Sequence, residues 1–302
     1  MKKINYFNNY QIDKSKWDIC INKSINRKVY ACSWYLDVVS NNWGALIYGD
    51  YELVFPIIFK KIFIFKKIYH PFFCQQLGPF SSDRHLLSNV DLLLSILDYL
   101  DRNYKKFHFS INNHCALSVK DVIKNTSSII GLDRVNLELD LKLDYETIYS
   151  KYKQNTKRNL KKNTNYRFII KEMNDVSSFI SLYKKHIGPK SSLKSKHYKT
   201  IRALITMCLM RKAGHLIGLY DPSGNILACA FFVRYFNRDI LLFNFSNKMM
   251  KVNVMTILID KYIFLNSSKN KFLDFEGSSI PNIQRFYKGF GALEKNYIHI
   301  IK

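Results

Sequence analysis

The stretch Asp274–Ala292, DFEGSSIPNIQRFYKGFGA, constrains the fold more than any other part of this sequence. An apolar run over Lys271–Phe275 reads as a buried strand and stops at Glu276-Gly277. Ser278 or Ser279 is placed to cap a helix, and Pro281 falls in its first turn, where the missing N–H costs little. Ile283, Phe286 and Phe290 recur at helical spacing and predict a buried stripe. Arg285 and Lys288 share another face, Gly289 and Gly291 end the helix, and a last strand follows. A carboxylate at a strand end, facing a helix start with two cations nearby, suits an anionic or polar substrate. The same pattern also fits a plain strand–turn–helix with solvated charges, and this stretch alone leaves both readings open.

With 302 residues and 47% apolar content the chain can bury a large core, and its length suggests about two domains. The formal net charge of +24 points to a polyanionic partner: RNA, DNA or, peripherally, an anionic membrane surface. Of the 47 basic residues, however, 36 are Lys, beside an excess of Asn, Ile, Tyr and Phe. All of these have A/T-rich codons, so genome composition alone accounts for part of the charge. The six cysteines are scattered without a CxxC pair, which speaks against a structural zinc site and for core thiols; no metal site is expected. The start, MKKINYFNNYQIDKSKW, has no apolar signal core. The windows Leu53–Phe65 and Val252–Leu265 are too short or too interrupted to span a bilayer. A cytoplasmic protein without a transmembrane segment is expected.

Along the chain, Trp34 and Tyr35 belong to a short helix, and Trp43–Tyr48 and Tyr51–Ile58 form strands joined at Gly49-Asp50. Ile62–His70 predicts a third strand, followed by the irregular segment HPFFCQQLGPFS. Leu86, Val90, Leu93, Leu97, Leu100 and Tyr104 predict one long amphipathic helix, and Phe107–Ile111 and Val135–Leu141 alternate as strands. Asp144 caps a helix that runs into the basic stretch YKQNTKRNLKKN. A strand over Tyr166–Lys171 follows, then a helix capped by Asn174 and stopped at Gly188-Pro189, and a second helix over 195–213. Gly214–Tyr220, Ile226–Tyr235 and Asp239–Ser246 are strands, and a helix over about 250–266 leads back to the opening stretch.

That element order resembles a GNAT-type acyltransferase fold. The expected fold class is α/β (α+β): two tandem GNAT-like domains, 1–142 and 143–302, each a mixed, mostly antiparallel sheet flanked by helices. The segments ACSWYLD (Ala31–Asp37), YHPFFCQQLGPF (Tyr69–Phe80), Tyr152–Asn163 and Asp274–Ala292 resemble Fem-type peptidoglycan-bridge aminoacyltransferases in the version common in Bacteroidetes-type bacteria. The resemblance spans nearly the whole chain, and its last segment is the most specific. It implies a bacterial acyl- or aminoacyltransferase that forms an amide on an amine acceptor, such as a cell-wall precursor peptide or a small molecule. The donor it implies is either aminoacyl-tRNA or acyl-CoA, with no resident cofactor. FSNKMMKVN (Phe245–Asn253) lacks the glycine-rich loop of CoA-dependent enzymes, and residues 175–213 supply two ordinary helices in place of a coiled-coil arm.

Acyl transfer to an amine needs a proton acceptor, a donor for the oxyanion and a means of alignment. Glu276 is the candidate for positioning or deprotonating the amine, or else only a helix cap, and Tyr287 is the candidate oxyanion donor or else a core aromatic. Ser278, Arg285 and Lys288 are candidate substrate contacts on the closing helix. Lys157 and Arg158 are placed by the resemblance beside a substrate channel, with Arg suited to bidentate phosphate contact. Gln75 and Gln76 are candidate acceptor contacts or merely partners for loop backbone. A CoA-dependent N-acyltransferase and a non-catalytic, basic nucleic-acid-binding protein are the alternatives the sequence leaves standing.

Overall fold

A computed structural model describes residues 3–40, 42–62, 65–124, 128–162, 166–247, 253–277 and 280–302. The chain forms two compact units, one of residues 1–134 and 296–302, the other of residues 135–295.

Unit 1 holds β1 (Ile4–Asn8), α1 (Lys14–Lys23), α2 (Ser33–Val39), β2 (Trp43–Tyr48), β3 (Leu53–Ile62), β4 (Phe65–Ile68), β5 (Phe80–Ser81), α3 (Arg84–Ser88), α4 (Val90–Asn103), β6 (His108–Ile111) and α5 (Ala116–Ile123). Strands β1 to β4 form an antiparallel sheet in chain order, with β5 added to β3. The alternating residues Leu53, Phe55 and Ile57 of β3 meet Leu93, Leu97 and Leu100 of α4 in one buried cluster, as periods of two and of three to four predict. The expected Gly49-Asp50 hairpin is a wider turn over residues 49–52. Gly49 and Tyr51 both take positive φ, and β3 begins only at Leu53. The expected long helix is two, because the Asn89 side chain accepts the Leu92 N–H at 2.8 Å and starts α4 afresh.

The chain enters unit 2 within β7 (Ile130–Asp140), continues through α6 (Tyr145–Ser150), α7 (Gln154–Lys162), β8 (Ile169–Glu172), α8 (Val176–Ile187), α9 (Ser195–Met210), β9 (Gly214–Tyr220), β10 (Ile226–Tyr235), β11 (Arg238–Ser246), α10 (Val254–Asn266), β12 (Phe272–Asp274) and α11 (Pro281–Lys288), and leaves within β13 (Leu293–Ile301). The unit-2 strands lie in the order β7-β12-β11-β10-β9-β8. All neighbours run antiparallel except β11 and β12, which are parallel and joined by α10. A parallel pair needs such a crossover, and α10 packs Leu258, Ile259 and Tyr262 onto the sheet, with Tyr262 stacked 3.6 Å from Phe232.

The observed units differ from the expected division at 142/143. Val135–Asp140 pairs inside unit 2, and the end of β13 pairs with β6 of unit 1 through Ile298–Ile301. The helix after Asp144 also breaks, because the Lys153 N–H donates to the Gly289 carbonyl at 2.9 Å and starts α7. Asp175, not Asn174, caps α8, accepting the Ser177 and Ser178 N–H groups at 2.9 and 3.0 Å. Among the described residues no helix is long and apolar enough to cross a membrane.

Candidate active site in unit 2

The end of β12 is fixed by charge. Asp274 is 1% exposed, and one carboxylate oxygen accepts a 2.7 Å hydrogen bond from Arg238 on β11. The guanidinium also pairs at 2.7 Å with Glu138 on β7, whose Oε1 accepts from Asn136 at 2.9 Å. Burial works against the Arg238 charge, but Asp274 and Glu138 outweigh it and raise its affinity for the proton. Three adjacent strands are thereby tied by one guanidinium.

The other Asp274 oxygen accepts the Glu276 N–H at 2.9 Å. That bond steadies an unusual turn, because Glu276 has φ 58° and Gly277 φ 68°. A side chain at 277 is excluded, since a Cβ there would lie 2.1 Å from the Val135 carbonyl. Glu276 is one of six described non-glycine residues at positive φ, a conformation that costs on the order of 1 kcal/mol or more.

Across from the turn, α11 presents Tyr287, which is buried and stacked on Phe275 with ring centroids 4.6 Å apart. Its phenolic oxygen accepts from the Asn244 side chain of β11 at 3.1 Å, so its own proton remains to be donated. Burial, resisted by Asn244 and aided by the Glu276 charge, pushes Tyr287 up to about 12. Tyr183 of α8 is raised by burial, then by Tyr198, Tyr287 and Glu276. Glu276 and Tyr287 thus stand by the C-terminal ends of the parallel strands β11 and β12, where open α/β sheets place their ligands.

The remaining sequence candidates are distributed differently. Lys288 ion-pairs with Glu294 of β13, and Arg285 is exposed on the last turn of α11. Lys157 donates to the Ser150 carbonyl at 2.9 Å and lies over the Tyr149 ring, which ties it to the end of α6. Arg158 is exposed and bonds Asn155 at 3.3 Å. Helix α7 nonetheless abuts the end of α11, since a Cβ on Gly289 would meet the buried Thr156 hydroxyl at 2.4 Å. Gln76 in unit 1 is buried, accepts the Asn113 N–H at 3.0 Å and donates to Gln75 at 2.7 Å. Both glutamines are thus engaged within their own unit. Ser278, and residues 248–252 of the Phe245–Asn253 segment, lie outside the described residues. With Ser279 also outside, Ile280 occupies the N-cap position of α11, and Pro281 opens the helix as expected.

Sequence reasoning missed Asn244, Tyr183 and the Arg238–Asp274–Glu138 cluster. Asn244 had a signal: a lone amide in the apolar run LLFNF invites the question of what it binds. Among the described residues no group of His, Cys, Asp or Glu is arranged to hold a metal ion.

No family profile matches the chain, and no curated protein matches it by sequence. The fold, by contrast, is shared with solved structures. FemX superposes with a TM-score of 0.67 at 10% identity, covering 97% of this chain and 96% of FemX. A conserved protein of unknown function from Bacteroides thetaiotaomicron gives 0.62 at 10% identity over the full length of both. A tandem GNAT protein from the clavulanic acid biosynthesis pathway gives 0.52 at 8% identity over 99% and 98%. The chain shares the fold of Fem-like and tandem GNAT proteins.

Proposed function

We propose that this protein is an acyl- or aminoacyltransferase that forms an amide on an amine acceptor, with chemistry at the β12–α11 turn of unit 2. The observation that carries this reading is the turn itself: Asp274 holds the Glu276 N–H at 2.9 Å, and Tyr287 of α11 stacks on Phe275, the residue just before Glu276. The acceptor nitrogen attacks the acyl carbon, and its proton passes to the Glu276 carboxylate. Tyr287 donates to the oxyanion of the tetrahedral intermediate. On collapse the bond to the leaving group breaks, and Glu276 passes the proton it took to the departing oxygen or sulfur. The exposed Arg158 and Arg285 supply cations for a carboxylate or phosphate of the substrates. The donor is an aminoacyl-tRNA or an acyl-CoA, and the acceptor a peptide amine of the cell-wall precursor kind or a small amine.

The test offers both donor classes with a panel of amine acceptors and reads amide product by mass spectrometry. Wild-type protein is expected to form product with one donor class, and Glu276→Gln and Tyr287→Phe to lose it by about 100-fold at unchanged helical content. Equal product from the variants overturns the assignment.

A further inference from the structure

Unit 1 contains a cavity of about 590 Å³ built from β1, β4, the end of α4 and the residue after β13. Its charged lining is Lys66, Lys67, Arg102, Lys105, Lys106 and Lys302, set against Asp101. Asp101 is already engaged, pairing with Lys302 at 2.6 Å and accepting from Ser128 at 3.0 Å. An adjoining cavity of about 330 Å³ shares Lys67, Lys106 and Lys302 and continues to His108 and His299. On the aromatic side, Tyr6 and Tyr99 stack with centroids 5.9 Å apart at 16°, and the Lys66 ammonium lies 5.6 Å from the Tyr6 ring.

We propose that this basic, tyrosine-lined groove of unit 1 binds single-stranded nucleic acid, with phosphates on its lysines and a base against its tyrosines. Lysines that track a backbone beside aromatic faces that accept any base are what sequence-tolerant single-strand binding requires. The recess also favours a strand over a bilayer: a flat lipid surface does not enter a concave cavity, whereas a nucleotide does. Local potential agrees with an anionic occupant. Burial lowers the affinity of His108 for a proton, and the charges of Lys67 and Lys60 lower it further. The site uses no residue of the Glu276 constellation and stands independently of the acyl-transfer reading.

The test is fluorescence anisotropy of a labelled 12-mer oligo-U with the full chain across a salt series. Lys67→Glu with Lys106→Glu is expected to weaken binding by at least about tenfold, and to flatten the log–log salt slope by about 1.4, the value for two lost phosphate contacts. Lys196→Glu with Lys199→Glu, an equal charge change on the exposed face of α9, is expected to leave the slope nearly unchanged. In wild-type protein the oligonucleotide is expected to move the His108 titration upward by NMR, a readout that needs no variant. The proposal is overturned if both double variants lose affinity equally, if neither does, or if His108 does not move. It is equally overturned if the chain binds phosphatidylglycerol vesicles but not oligo-U.

Discussion

In unit 1, His70, His108 and His299 lie near one another, with ring centroids 6.2 Å apart for His70 and His299 and 5.7 Å for His108 and His299. Burial is the main cause that holds all three towards neutral, and His70 and His299 fall to about 4. His70 accepts the Ser110 N–H at 3.2 Å through Nδ1 and so donates through Nε2 to the Cys74 carbonyl at 2.6 Å. In unit 2 the comparable cluster keeps its charges, with Arg238 set between Asp274 and Glu138. A buried polar cluster is held most cheaply when discharged, since desolvating ions is costly. One that stays ionised needs another reason, and here Asp274 also holds the strained Glu276 turn. Unit 1 holds its histidine cluster discharged, and unit 2 keeps an ion cluster beside a strained strand end.

The sharpest way to break this contrast is to remove the guanidinium. Arg238→Met leaves two buried carboxylates without their cation, and should destabilise the protein by about 3–5 kcal/mol in urea unfolding. A loss below 1 kcal/mol would reduce the cluster to ornament. Next in size, Gly277→Ala adds a Cβ where the Val135 carbonyl already stands and keeps a positive φ, for a loss of about 3 kcal/mol.

Smaller and graded is the effect of pH on unit 1. The folded histidines bind protons more weakly than unfolded ones, whose ordinary value is 6.5, so the unfolded state gains protons first. Stability is full above about 6.5 and falls as pH drops towards 4. His70→Gln should flatten the decline of Tm between pH 7 and 5, and an unchanged slope would remove His70 from the account.

Sequence patterning made most of the frame legible. The order of elements in unit 2 follows from alternation and helical spacing, because most of its strands and helices bury apolar residues at those periods. What stayed hidden depended on contacts distant in sequence. Asn89 and Lys153 break helices whose apolar spacing runs straight through them, since a cap or a borrowed carbonyl leaves no mark on periodicity. The site was half legible. Glu276-Gly277 stood out as a strand end, but nothing local says that glutamate takes positive φ there. That depends on Asp274 and on Val135, which lies well over a hundred residues earlier. Lys288 reads in the sequence as a substrate cation, and its ion-pair partner Glu294, on the next strand rather than on its own helix, leaves no local mark.

The central claim is that Glu276 holds a strained position for its chemistry and not for the fold. Glu276→Gly tests it most directly, with Tm and amide formation measured on the same preparation. Glycine adopts φ 58° without penalty, so Tm should hold or rise, while turnover should drop by about 100-fold or more. A clear fall in Tm with turnover intact would contradict the account and make Glu276 a structural residue.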